Sequence, residues 1–102
     1  MTRRVVLVLE AQAELEAATV WYFERNAKIA DDFQAEIVRL SGQAAAMPLA
    51  FARTAESGVV RRAVAKRFPY SVFFTETATG ILVLAVAHAK RRPGYWLGRL
   101  PA

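Results

Sequence analysis

Seven consecutive aliphatic residues, Ile81-Leu82-Val83-Leu84-Ala85-Val86-Ala87, leave this chain little choice about where they lie. A strand that is apolar on both faces must be covered on both and flanked by other strands. The run therefore predicts an interior strand over 81–88. It falls far short of the roughly 20 residues that span a bilayer, and the apolar run Val5 to Leu9 is too short for a signal-peptide core. A cytoplasmic protein without membrane contact is expected. The 102 residues, 55% of them hydrophobic, suit one domain over 1–102. With no cysteine there is no disulfide framework, iron–sulfur cluster or thiolate zinc site, and packing alone must hold the fold.

Val59 to Ala65 and Tyr70 to Thr77 read as two further strands, the latter joined to the apolar strand by a tight turn at Ala78-Thr79-Gly80. Val5 to Leu9 reads as another, running into a helix from Glu10. That helix places Ala11, Leu15, Ala18 and Tyr22 on one stripe and Glu14, Glu16 and Glu24 on its polar face, with Asn26 suited to a left-handed turn at its end. A second helix has the cleanest period in the chain. Ala30, Phe33, Ile37, Leu40, Ala44 and Met47 alternate steps of three and four, Asp31 and Asp32 lie in its first turn, and Pro48 stops it. Pro48 to Gly58 reads as a loop. The predicted architecture is α+β in the order β-α-α-β-β-β, an antiparallel sheet with a helical hairpin packed on one face. An even number of helices returns the chain to the end of the sheet it left, so the first strand is expected antiparallel to strand 81–88. Strand 59–65 is expected at an edge.

The net charge of +5 is unevenly placed. Residues 1–58 hold six basic groups against eight acidic ones, whereas 59–102 hold eight against Glu76 alone, a balance of +7. Such a half suits phosphates or an acidic protein segment, or is simply a solvated face. The lone histidine, His88, falls at the end of the interior strand beside Lys90, Arg91 and Arg92, where a neutral imidazole could take a proton. Arg61 and Arg62 are neighbours in a strand and so point to opposite faces. Either could form a phosphate or carboxylate clamp, and either could be the charge that protects an edge strand. Tyr95 and Trp96 could stack on bases, or Trp96 could fold back as the lid of a small core. One histidine and no cysteine give no metal set, and no cofactor is expected.

Ala13-Glu14-Leu15-Glu16 and Trp21-Tyr22-Phe23, then Gly58-Val59-Val60-Arg61-Arg62, Arg67-Phe68-Pro69-Tyr70, and Ala85 to His88 with Arg91, Pro93, Tyr95 and Trp96 occur in an informative order. In that order and spacing the chain resembles the RelE/ParE superfamily of type II toxin–antitoxin toxins, over roughly residues 4–96, and most the ParE-like, plasmid-stabilisation branch. The resemblance implies a growth-arresting toxin neutralised by a cognate antitoxin whose small, acidic C-terminal segment wraps over it. ParE-like members poison DNA gyrase, whereas RelE-like members cut messenger RNA on the ribosome. The nuclease branch carries an arginine directly after the tyrosine that opens the third strand, and here Tyr70 is followed by Ser71. A hydroxyl cannot stabilise phosphorane charge as a guanidinium does, and losing one such donor costs on the order of a hundredfold in rate. Gyrase inhibition by binding is therefore the expected function, with a ribosome-dependent endonuclease and a non-toxic nucleic-acid-binding module as alternatives. A nuclease would recruit His88, Arg91 and Tyr95 as catalytic residues. Antitoxin or target contacts are expected at Arg61, Arg62, Lys66, Arg67, Lys90, Arg91, Arg92 and Trp96.

Overall fold

A computed structural model describes residues 3–101. The elements are β1 (Arg4–Leu7), α1 (Leu9–Phe23), α2 (Ala27–Ala46), β2 (Ala52–Arg53), β3 (Val60–Val64), β4 (Tyr70–Glu76) and β5 (Gly80–His88), with single 3-10 turns at Pro48–Ala50 and Leu97–Arg99. The sheet order is β1-β5-β4-β3-β2. The fold is α+β with the helical hairpin on one face, as expected, but the sheet is mixed. β1 runs parallel to β5, Arg4 facing Gly80 and Leu7 facing Val83. The reason is β2. The segment expected to be pure loop contributes a two-residue strand paired with Arg61 and Arg62, and one extra strand reverses the direction of every later one. It also takes the edge from β3, whose other neighbour is β4.

Other differences lie at element ends. Asn26 is extended, with φ −166°, and its side chain accepts from the backbone N–H of Lys28 and Ile29. It caps the start of α2 rather than closing α1 in a left-handed turn. α2 therefore begins at Ala27, which moves Asp31 and Asp32 out of its first turn. The buried stripe Ala30, Phe33, Ile37, Leu40 and Ala44 is as the period requires, but Met47 lies beyond the helix end and is exposed.

The helices pack on the sheet through Phe33, Ile37, Leu40, Val72, Phe74 and Val83, each worth about 1.5–3 kcal/mol of burial. A ring cluster pins the β3–β4 hairpin beneath them: Phe33 lies 5.0 Å from Tyr22, 5.3 Å from Phe68 and 5.0 Å from Tyr70. β5 changes face midway. Phe73 pairs with Ala85 and Phe74 with Val83, so Leu84 is the extra residue of a β-bulge. Ile81, Val83 and Val86 face the helices, while Leu84, Ala85 and Ala87 face the opposite side. There they form a second small core with Val60, closed by Trp96, 1% exposed and stacked on Phe73 at 5.1 Å. This accounts for the two-sided apolar run. No helix among the described residues is long and apolar enough to cross a membrane.

Candidate functional site

β1 covers only the first part of β5, because the chain turns into α1 at Leu9. From Leu84 onward the edge of β5 needs other partners, and a carboxylate and a guanidinium supply them. Glu14 Oε1 accepts from Val86 N at 3.1 Å and from Arg99 Nη1 at 2.8 Å, and the same Nη1 donates to Leu84 O at 3.0 Å. Glu14 Oε2 accepts from Tyr95 Oη at 2.6 Å and Arg99 Nη2 at 3.2 Å. Both charged side chains are 16% exposed. The cluster thus satisfies the bulge and ties the C-terminal segment to α1 in one place. Glu14 was expected on the polar face of α1. It lies three residues after Ala11 and four before Ala18, both buried, and that spacing is the signal that puts it on the packed side.

On the face opposite the helices the sheet opens into a pocket of about 510 Å³. Arg53, Arg62, Arg91 and Arg92 line it with His88, and Glu56 is the single acid among its lining residues. Arg62 is the arginine that faces this surface. Its Nε donates to Ser71 Oγ at 3.0 Å and its guanidinium carbon lies 5.9 Å from the Phe73 ring. Arg61 points the other way and donates to Phe51 O at 2.7 Å. The expected single basic surface is therefore divided. Lys66 and Arg67 sit at the β3–β4 turn against α2, where Glu36 accepts from Lys66 N at 2.7 Å and Asp32 lies 3.7 Å from Arg67. Lys90 is exposed, its N–H spent on His88. Trp96 lines the pocket but is buried, so it offers no free ring for stacking. Arg53 and Arg99 have roles that no motif in the sequence marks, and Glu14 has a bonding role beyond its place in the first-helix motif. Arg53 stands in a strand too short to show a period.

The pocket brings four guanidinium groups and one imidazole together. Tyr95 is held protonated: burial raises its phenol pKa, and the hydrogen bond to Glu14 raises it further. Burial opposes the charge on Arg99, yet the Glu14 hydrogen bond and charge outweigh it and raise that pKa. His88 Nδ1 accepts from Lys90 N at 3.0 Å, which in the neutral ring puts the proton on Nε2. Tyr95 thus stands as a hydrogen-bond donor to Glu14, and His88 as an acceptor from Lys90 N. Arg91 lies 3.9 Å from the Tyr95 ring centroid and 3.8 Å from Glu14 Oε2. Of the three residues named for catalysis, Arg91 and Tyr95 stand together at the C-terminal anchor, while His88 lies edge-on to the Tyr70 ring at 5.1 Å. A second cavity of about 450 Å³ lies between α1 and the end of β5.

This is an α+β fold of two helices on a mixed sheet with a cationic open face. It is similar to a chain of a solved structure described as the chromosomal ParDE TA system from P. aeruginosa, with a TM-score of 0.72 and 20% identity over 85% of this chain and 96% of that one. No family model matches the sequence. No curated protein matches it.

Proposed function

We propose that the chain is the toxin component of a type II toxin–antitoxin module, neutralised by a cognate antitoxin with an acidic C-terminal segment, and that it inhibits DNA gyrase by binding. The likeness in fold to a chain of a ParDE system supports the class. The observation that carries binding over catalysis is the state of the candidate bases: Tyr95 donates to Glu14 and His88 Nδ1 is occupied by Lys90 N. What remains in the pocket is a set of guanidinium groups, suited to holding anionic or acidic surface rather than to moving protons. Arg62, Arg91 and Arg92 are the proposed contacts, and Glu substitutions there should weaken the antitoxin complex, whereas unchanged affinity counts against them.

A second reading, a ribosome-dependent endonuclease, draws on Arg62. Its bond to Ser71 Oγ places a guanidinium beside the position where that branch carries its arginine. Purified protein incubated with gyrase and relaxed plasmid should block supercoiling or trap cleaved DNA, while messenger RNA in a translating extract stays whole. No effect on gyrase with folded protein removes the first reading. Fragmented message lost on substitution of Arg62 or Arg91 would establish the second.

A further inference from the structure

His88 and Arg91 line both cavities and form the wall between them. On the α1 side the groove is apolar along Ala17, Ala18, Tyr22 and Val86 and ends at Arg91 with Glu14 beside it. Outside the groove α1 also exposes Val20 and Phe23, 51% and 63% exposed, while Trp21 lines the groove with Arg25 lying 3.5 Å over its ring. A helix with apolar surface on both sides is normally covered on both.

Arg91 is the least committed member of the cluster around Glu14. The Glu14 oxygens already accept from Val86 N, Tyr95 and Arg99 at 2.6–3.2 Å. Arg91 stands off at 3.8 Å with its side chain 53% exposed, beyond hydrogen-bond reach. Among the described residues its guanidinium donates no hydrogen bond, although it can offer five N–H groups. An apolar groove that ends at a guanidinium with unused N–H groups, beside a carboxylate already bonded by Tyr95 and Arg99, is complementary to an apolar side chain followed by a carboxylate.

We propose that this groove receives a partner segment carrying an apolar side chain followed by a carboxylate, and that seating it draws Arg91 out of the wall of the open-face pocket, weakening anion binding there. On the toxin reading, on which the identity of the partner rests, the segment belongs to the antitoxin. Neutralisation then works through Arg91 as well as by covering the pocket.

The test uses the full chain, amide-resolved NMR and two small probes at constant ionic strength: 3-(indol-3-yl)propionate for the groove and inorganic pyrophosphate for the open-face pocket. The indole acid should shift Ala17, Trp21, Val86 and Arg91, its uncharged amide should bind less well, and saturation with the acid should weaken pyrophosphate by about fivefold. In Arg91→Gln the preference for acid over amide and the coupling to pyrophosphate should both vanish. Equal binding of acid and amide, no shifts in the groove, or an unchanged pyrophosphate affinity overturns the proposal. None of these readouts needs a toxic protein, so a failure of growth arrest would count against the toxin reading alone.

Discussion

Replacing Glu14 with alanine removes an acceptor used by Val86 N, Tyr95 Oη and two nitrogens of Arg99. It leaves the Arg99 guanidinium, 16% exposed, without its counter-charge. Breaking a buried pair from one side costs about 3–5 kcal/mol. The remaining exposure lets water reach part of the site, so the lower end applies, about 3 kcal/mol. For a domain of this size each kcal/mol moves Tm by roughly 4–8 °C, which predicts a fall of roughly 12–24 °C. Urea unfolding and calorimetry measure both quantities. Arg99→Ala should cost a similar amount, and the double variant should cost less than the sum by about 1–3 kcal/mol because both act on one network. A Glu14→Ala loss below about 0.5 kcal/mol, the range of an ordinary surface change, or strict additivity with Arg99→Ala, would refute the role given to this cluster.

Gly80 faces Arg4 across the parallel ladder, and a Cβ there would run into the Arg4 backbone. Gly80→Ala should therefore cost about 2 kcal/mol or more and expose the β1 amides to hydrogen exchange. The Glu36 carboxyl is lowered by its hydrogen bond to Arg39, against burial, with help from Lys66 N. Its folded pKa lies below the unfolded one, so the stability it adds is present above the ordinary carboxylate range and is lost as pH falls through the folded value. Glu36→Gln should flatten the acid limb of the urea midpoint against pH. Burial is the leading cause raising all three tyrosines, Tyr22, Tyr70 and Tyr95. Their contribution is present below the free phenol value of about 10 and lost above it. Phenolate absorbance should rise later than in unfolded protein, whereas a normal rise near 10 would place a ring in water.

The parts of this fold that repeat were legible in the sequence. The alternating steps of α2 marked its buried stripe, and the apolar run over 81–87 announced an interior strand covered on both faces. Trp96 as a lid was one of the two readings of the tail, and the structure bears it out. What was not legible was short or singular. Two residues, Ala52 and Arg53, carry no period, yet they reverse the direction of three later strands and with it the pairing of β1. The bulge at Leu84 leaves no mark in a run that is aliphatic throughout. Asn26 is compatible with a helix end and a helix start, and only the chain geometry selects the cap. Among the cations, charge counting could not tell Arg62, free to face the pocket, from Arg61 and Arg99, which bond backbone carbonyls at Phe51 and Leu84. The half-chain balance of +7 was therefore a poor guide to the surface charge of any one face.

Growth arrest on expression of single variants tests the central claim most directly. If the protein works by presenting a cationic surface, His88→Ala and Tyr95→Phe should still arrest growth. The paired change Arg62→Glu and Arg92→Glu should abolish arrest in a protein that circular dichroism shows to be folded. Loss of arrest in folded His88→Ala, together with loss of messenger RNA cleavage and retention of arrest by the arginine variant, would contradict the account.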